Sequence, residues 1–344
     1  MLPNHYLRRL RSLFFQSRSI FLLTGFMVGC QLTLLSLFLL SRLVSTPIPV
    51  PPDAGSVEIS DPFGSYGETV IADRLTNRIR IVCMILTMPS NHRNRSLAVK
   101  YTWAKRCSSY FFVSTEDDPS LPAFAAGVNE SRDSLWDKVK FGVQMVMDNK
   151  PNDFDYFLKA DDDTYMIMEN VRMMLDGLNP EQPFIVGRRF KKFVSQGYAS
   201  GGSGYIISRA GLKLIAEGMR TNPKCMIHDH SWVEDVFMGI CAANVGVKFV
   251  DSLDHTGRER FHPFWFSIML DQETLFNDDW FTKFNYHPVR GGADCCSDYS
   301  VSFHYLKPLD MITYDYLLYQ LRPYGIHHDY NDVVKLLRNH SAFI

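Results

Sequence analysis

The sequence predicts an α/β fold with a Rossmann-like parallel sheet, behind a single N-terminal transmembrane helix. Three observations predict it: apolar strand-like runs alternate with amphipathic helical segments, an acidic cluster follows the third run, and a long uncharged apolar segment lies near the N-terminus. Alternating strands and helices are typical of parallel sheets, whose strands are covered on both faces and therefore have continuous apolar runs. The 344 residues, 46% of them hydrophobic, are enough for a substantial core.

The N-terminal segment Ile20–Leu40 contains 21 residues and no charge. As a helix it is long enough to cross a bilayer core of about 30 Å. Four arginines precede it, and only Arg42 separates it from a proline-rich segment, so the positive-inside rule places residues 1–19 in the cytosol. A cleavable signal peptide is the alternative, but its apolar core is usually shorter, about 7–15 residues. We expect a retained signal anchor over 20–40 and a luminal stem of linker composition over 41–77.

The cysteines and the net charge agree with a secretory-pathway protein. Six cysteines follow the apolar segment, and an even number in an oxidising lumen indicates disulfides whose pairing the sequence does not determine. Because a disulfide between adjacent residues strains the backbone, we expect Cys295 and Cys296 to bond to separate partners. Three N-x-S sequons begin at Asn94, Asn129 and Asn339. The formal charge of only −1 argues against a protein committed to nucleic acid.

The folded domain is predicted over 78–344 and opens with three strands separated by two helices. The strands are Arg78–Met88, Tyr110–Ser114 and Phe154–Lys159, and the helices are Ser96–Arg106 and Ser131–Asp148. The second helix is amphipathic because apolar residues recur at every fourth position from Leu135 to Met147. Later strands are expected at Pro183–Val186 and Tyr205–Ile207, and later helices at Met166–Leu178, Ser208–Gly218 and Trp232–Ile240. No GxGxxG follows the first strand, which argues against a dinucleotide held by that fingerprint.

The acidic cluster of Asp161, Asp162 and Asp163 directly follows the third predicted strand. In open α/β sheets ligands bind beyond the carboxyl ends of the strands, where this cluster would lie. Unpaired buried carboxylates are very costly, so the three must face water, cations or a metal, and hard divalent cations prefer carboxylate oxygen. A solvated acidic turn that caps the next helix explains the spacing equally well. The residues alone leave both interpretations open.

Three later patterns also have two explanations each. The four glycines of Gly197–Gly204 allow a ligand to approach the backbone closely, or they form a tight surface turn. Glu234 and Asp235 stand in an apolar helical pattern, either as a helix N-terminal turn or as a functional pair with perturbed pKa values. His304 lies in a β-like run, and for an isolated histidine a structural role is favoured over a ligand role.

Seven motifs in one order cover nearly the whole predicted luminal domain. They are KADDDTY (Lys159–Tyr165), VGRRF (Val186–Phe190), QGYASGGSGY (Gln196–Tyr205), EDVFMG (Glu234–Gly239), FHPF (Phe261–Phe264), CCSDYSVSFHY (Cys295–Tyr305) and LRPYG (Leu321–Gly325). Together they resemble the β1,3-glycosyltransferases of the DxD type, and most closely the branch that builds the core 1 O-glycan. A single such motif is weak, but seven in this order are specific.

The resemblance implies a GT-A fold, Mn²⁺ as cofactor, and inverting transfer of galactose from UDP-galactose to O3 of GalNAc α-linked to Ser or Thr of glycoproteins. It makes Asp161 and Asp163 the DxD pair and metal ligands, with His304 as a further metal ligand in place of the structural role. It makes Asp235 the catalytic base. The residues that it places around the donor and acceptor are Leu86, Arg132, Lys138, Asp161, Gly201, Gly202, Trp280 and Tyr305.

The resemblance also implies a Golgi membrane protein of type II with a luminal catalytic domain, and it is compatible with a homodimer. Two places depart from the family pattern: Met88 replaces a small residue, and Gly291–Ala293 differs from the usual loop before CCSD. These departures leave open a β1,3-glycosyltransferase with another donor or acceptor. A non-catalytic chaperone-like relative is a second alternative, which the presence of Asp163, Asp235 and His304 argues against.

Overall fold

A mixed seven-stranded sheet lies at the centre of the residues that the structure, a computed structural model, describes: 65–227, 233–277 and 279–321. The strands in chain order are β1 (Ile81–Leu86), β2 (Ser109–Ser114), β3 (Ala123–Ala125), β4 (Tyr156–Asp161), β5 (Tyr165–Met166), β6 (Phe184–Gly187), β7 (Arg189–Phe190), β8 (Tyr198–Ala199), β9 (Tyr205–Ser208), β10 (Lys248–Val250), β11 (Phe261–His262) and β12 (Ser302–Phe303). The large sheet has the order β10-β6-β9-β4-β1-β2-β3, and β11-β12-β5 and β7-β8 form two small sheets.

The helices of the described residues lie before, between and after these strands. In chain order they are α1 (Ser65–Arg78), α2 (Arg95–Tyr101), α3 (Leu135–Asn149), α4 (Met168–Leu175), α5 (Arg209–Thr221), α6 (Glu234–Asn244), α7 (Phe266–Leu270), α8 (Gln272–Asn277), α9 (Asp279–Phe284) and α10 (Pro308–Tyr319). None of them is both long and apolar enough to cross a membrane. The segment 20–40, which the sequence predicts to do so, lies outside the described residues.

The first half of the sheet has the predicted alternation of strands and helices. Strand β1 pairs in parallel with β2 on one side and with β4 on the other, and α2 and α3 lie in the connections. The sheet is mixed because β9 runs antiparallel to both β4 and β6. Strand β4 extends two residues beyond the predicted end at Lys159, so Asp161 is its last residue and pairs with Leu86 of β1. The acidic cluster therefore begins inside the strand.

The core consists mainly of two apolar clusters, one on each face of the large sheet. Along β1, Ile81, Cys83 and Ile85 belong to one cluster, and the alternate residues belong to the other. Helix α3 packs Trp136 and Val139 into the second cluster. Full burial of one such aliphatic or aromatic side chain stabilises by about 1.5–3 kcal/mol.

Helix α1 lies mostly within the segment predicted to be stem. It has few apolar residues, so its pattern resembles that of the linker before it, yet Leu75 is buried in the core together with Ile79 directly after the helix. Regular structure therefore begins before the predicted boundary at Arg78.

The described cysteines form the disulfides Cys83–Cys107, Cys225–Cys241 and Cys295–Cys296. The prediction of separate partners for Cys295 and Cys296 was wrong. Cys83 on β1 and Cys241 on α6 lie in the apolar core, and each bonds to a cysteine that packs beside it. The other four cysteines of the described residues are therefore already paired, and the adjacent pair bonds to itself.

Candidate active site

The three aspartates at the end of β4 have different surroundings. Asp162 is 5% exposed and faces the loop after β1, where it accepts hydrogen bonds from Thr87 Oγ1 (2.6 Å) and Asn91 Nδ2 (2.9 Å). Burial raises the pKa of Asp162 to about 6, although these hydrogen bonds oppose the increase. Asp162 therefore connects two segments of the fold. Asp161 and Asp163 are the two aspartates of the cluster that are left to form the predicted metal site.

Asp161, Asp163 and His304 each offer one ligand atom, and these atoms lie within 4.8 Å of one another. His304 follows strand β12, whose Phe303 pairs with Tyr165 of β5, and this pairing brings the histidine to the acidic cluster. His304 Nε2 lies 3.1 Å from Asp163 Oδ1. Two carboxylate oxygens and an imidazole nitrogen suit Mn²⁺, which accepts both ligand types. The chemistry and spacing of the three side chains fit the predicted metal.

Two cationic side chains balance the carboxylates of this cluster. Lys159 Nζ lies 2.9 Å from Asp161 Oδ1, and Arg95 Nη1 lies 3.1 Å from Asp163 Oδ2. Burial alone would raise the pKa of Asp163, but the hydrogen bond from His304 and the nearby charge of Arg95 outweigh it and lower the pKa. Asp163 is therefore ionised at neutral pH, as a metal ligand must be.

The glycine loop 200–204 lies against the side chains of the site. A β-carbon at Gly202 would come within 2.7 Å of the Cε1, Nδ1 and Nε2 atoms of His304. A β-carbon at Gly201 would overlap Oε1 of Glu234. The two glycines thus leave room for the site's own residues, an explanation that neither sequence-based alternative contained.

Glu234 and Asp235 form the first turn of α6, and their side chains have different partners. Asp235 Oδ2 accepts a hydrogen bond from the Gly201 N–H (3.0 Å), and Oδ1 accepts one from the Val236 N–H (2.8 Å). Glu234 is 4% exposed and pairs with Lys159 Nζ at 2.7 Å. Burial raises the pKa of both carboxyls, that of Glu234 to about 7 despite the opposing charge of Lys159. The acids therefore do begin a helix, and burial perturbs the pKa of both, while their role as a functional pair stays a prediction.

Five further predicted residues lie at different distances from this centre. Leu86 is buried beside Asp161 in the sheet. Lys138 is also buried, but its Nζ is occupied by both carboxylate oxygens of Glu130 (2.7 and 2.8 Å) and by the Thr87 carbonyl (3.1 Å). Its ammonium group therefore has a full set of partners within the protein, whereas a phosphate ligand would need a free donor.

The remaining three, Arg132, Trp280 and Tyr305, are exposed. The Tyr305 ring stacks on His304 with centroids 3.9 Å apart, and its backbone has a φ of +62°. Trp280 is connected to Tyr305 through Phe264, whose ring centroid lies 6.1 Å from that of Trp280 and 6.3 Å from that of Tyr305. Tyr305 and Trp280 are therefore accessible aromatic side chains, and Tyr305 directly contacts the candidate metal ligand His304.

Comparison with known proteins identifies the family. Residues 76–300 match a family model described as Fringe-like. The chain belongs to the Fringe-like family. It is 36% identical over 264 residues to glycoprotein-N-acetylgalactosamine 3-beta-galactosyltransferase 1 of Xenopus laevis. The matched residues cover 76% of this chain and 72% of that protein. The sequence-based resemblance is thereby confirmed.

One further relative and one solved structure are named as glycosyltransferases. A beta-1,3-glucosyltransferase of Mus musculus is 22% identical over 187 residues, 53% of this chain and 37% of that protein. A solved structure of a glycosyltransferase involved in the glycosylation of the major capsid of PBCV-1 is 10% identical, with a TM-score of 0.38, and covers 69% of this chain and 98% of that one.

Two residues of the candidate site, Arg95 and Lys159, were not predicted from the sequence as site residues. Lys159 carried a recognisable signal, because a lysine inside the apolar run of a central strand is almost never buried without a partner. Arg95 carried none, since its contact with Asp163 depends on the fold.

Proposed function

We propose that this protein is an inverting β1,3-galactosyltransferase that transfers galactose from UDP-galactose to O3 of GalNAc α-linked to Ser or Thr of glycoproteins. The observation that carries the proposal is the position of Asp235. Its carboxylate accepts a hydrogen bond from the Gly201 N–H, and the next residue of the glycine loop, Gly202, lies against the imidazole of His304. The name of the Xenopus relative agrees with this donor sugar, acceptor and linkage. The mixed α/β sheet is consistent with a GT-A fold.

Asp161, Asp163 and His304 would hold the Mn²⁺ ion, which when bound offsets the negative charge that develops on the leaving diphosphate. The side chain of Arg95 keeps one oxygen of Asp163 oriented, and Lys159 does the same for Asp161. The carboxylates of Asp161 and Asp163 are therefore oriented by other side chains of the protein before the metal binds.

Asp235 would act as the general base on the acceptor. It takes the proton of the GalNAc O3 hydroxyl while O3 bonds to the anomeric carbon of galactose and the bond from that carbon to the UDP oxygen breaks. A single displacement inverts the α-linked donor to a β product, so one base is enough. Burial raises the pKa of Asp235 and makes it a stronger base than an ordinary aspartate, and such assistance is typically worth about 10²–10⁴-fold in rate.

The proposal extends to the cellular setting. We propose that residues 20–40 anchor the chain as a type II protein in the Golgi membrane, with the domain from residue 78 onwards in the lumen. The three disulfides support a compartment that is oxidising. The homodimer stays a prediction.

The test is galactose transfer by the purified full-length protein in detergent. A peptide carrying GalNAc on Thr is incubated with UDP-galactose in the presence of Mn²⁺ or of a chelator, and the linkage of the product is determined. We expect a β1,3-linked product that requires the metal. Transfer from UDP-glucose or another nucleotide sugar, but not from UDP-galactose, would replace the donor in the proposal. A folded protein that neither binds a donor nor transfers a sugar would refute the proposal.

A further inference from the structure

Lys159 is a cation in the interior of the sheet. Its side chain is only 1% exposed, in a strand whose neighbouring residues are apolar. Burying an ammonium group costs several kcal/mol unless nearby acceptors compensate for the lost water. Its Nζ has three such acceptors: Glu234 Oε1 at 2.7 Å, Asp161 Oδ1 at 2.9 Å and the Gly201 carbonyl oxygen at 3.2 Å. An ammonium group has three N–H donors, so all of them are used.

The three acceptors belong to three different parts of the candidate site. Asp161 is the end of β4 and offers a metal-ligand atom, Gly201 belongs to the glycine loop, and Glu234 begins α6 beside the proposed base. The Gly201 residue is shared, because its carbonyl accepts from Lys159 and its N–H donates to Asp235 Oδ2. Lys159 thus connects the carboxylates near the leaving group with those near the acceptor.

Other contacts show that this arrangement serves Asp161 as well as Glu234. Glu234 already has a second partner, since the Tyr205 hydroxyl donates to its Oε2 at 3.4 Å. The Asp161 side chain is 29% exposed, so water could solvate it without any lysine. Nevertheless Lys159 Nζ lies 2.9 Å from Asp161 Oδ1, so the lysine contacts a side chain that does not need it for solvation.

We propose that Lys159 is a positioning residue that fixes Asp161 relative to the Glu234–Asp235 turn, and thereby sets both the affinity for the metal and the placement of the base. The inference rests on the proposed function for its second part. Its first part, the affinity for the metal, can be measured on the protein without any sugar nucleotide.

The experiment uses three variants of the full-length protein. Lys159→Met alone leaves Glu234 buried without its partner, which is strongly destabilising. The double variant Lys159→Met/Glu234→Met removes both members of the buried pair at similar volume, so we expect it to fold with thermal unfolding close to that of wild type. Glu234→Gln is the matched control, because it keeps an acceptor for Lys159 and leaves the contact with Asp161 intact.

Mn²⁺ binding is followed by electron paramagnetic resonance, and kcat and the acceptor KM are measured separately. We expect the double variant to bind Mn²⁺ about 10–100-fold more weakly, the range found when supporting partners of metal ligands are removed. Its kcat should fall while its acceptor KM stays close to wild type. Glu234→Gln should bind Mn²⁺ like wild type.

Several results would overturn the inference. They are a folded double variant with wild-type Mn²⁺ affinity, a double variant that does not fold, an equal loss of Mn²⁺ affinity in Glu234→Gln, and a wild-type protein that binds no Mn²⁺. A wild-type protein that binds Mn²⁺ but transfers no galactose would instead refute the proposed function, and the effect of Lys159 on Mn²⁺ binding would still decide the inference.

Discussion

The imidazole of His304 occupies the space in which residue 202 would carry a side chain. A β-carbon at Gly202 would come within 2.7 Å of three atoms of the ring, closer than real β-carbons approach their neighbours. The glycine loop and the segment after β12 are far apart in sequence, and each leaves room for the other. The position of the predicted metal ligand therefore depends on the absence of a side chain at residue 202.

Gly202→Ala should weaken Mn²⁺ binding, because the added methyl group displaces the ring of His304. We expect a loss of about 10–100-fold, as for the removal of a supporting contact to a metal ligand. Titration with Mn²⁺ measures it directly. Gly201→Ala is the matched control: its methyl group meets Glu234 Oε1 and Asp235 Cβ, so it should lower kcat with a smaller change in Mn²⁺ affinity. Equal effects of the two substitutions on Mn²⁺ affinity would contradict this division.

Asp163→Ala should abolish metal-dependent transfer. The substitution removes one of the three ligand atoms and leaves His304 and Arg95 without their common partner. Since loss of a supporting partner alone costs about 10–100-fold in metal affinity, loss of a ligand should cost more than about 100-fold.

Asp162→Asn is the control for that substitution, because Asp162 Oδ2 accepts from Thr87 and Asn91 and the residue is not one of the three candidate ligands, although its Oδ1 lies 3.7 Å from Arg95 Nη1. It should retain Mn²⁺ binding and transfer. Both variants are assayed over a range of Mn²⁺ concentrations. A loss in Asp162→Asn as large as that in Asp163→Ala would show that net acidity, and not the ligand geometry, determines binding.

Asp235→Asn should spare binding of UDP-galactose and lower kcat by about 10²–10⁴-fold, because only the base is lost. In the wild type, burial raises the pKa of Asp235, so the ionised base is lost on acidification at a higher pH than for an ordinary aspartate of pKa about 3.9. The acidic limb of the kcat profile, measured at saturating Mn²⁺, should show this. Donor affinity is checked by calorimetry, and unchanged activity of the variant would remove Asp235 from the base role.

The sequence predicted the parallel arrangement of β2, β1 and β4 because each of these elements has its own local pattern. It did not predict α1, whose few apolar residues resemble the linker before it, or the pairing of Cys295 with Cys296, which depends on where the other cysteines pack. Within the site, Asp163 and His304 were predicted through motifs, whereas the contact of Arg95 with Asp163 is created by tertiary structure alone.

Asp254 should stabilise the fold in a pH-dependent way. Burial opposes its ionisation, but hydrogen bonds from Thr256 and the Arg258 N–H outweigh burial and lower the pKa to about 2. A lowered carboxyl pKa contributes stability that is present above the pKa of the unfolded chain and is lost as the pH falls through the folded value. We expect Asp254→Asn to reduce the free energy of unfolding by about 2 kcal/mol at neutral pH, and by progressively less between about pH 5 and pH 2.

Asp298→Asn is the control for Asp254→Asn, since Arg258 also pairs with Asp298 (2.9 Å), whose side chain is 76% exposed. An exposed ion pair is worth at most about 1 kcal/mol, so this variant should unfold almost like wild type. Denaturant unfolding of wild type and both variants at several pH values provides the measurement. If the two variants lose the same stability, or if the loss in Asp254→Asn does not shrink on acidification, the hydrogen bonds to Asp254 do not have the assigned effect.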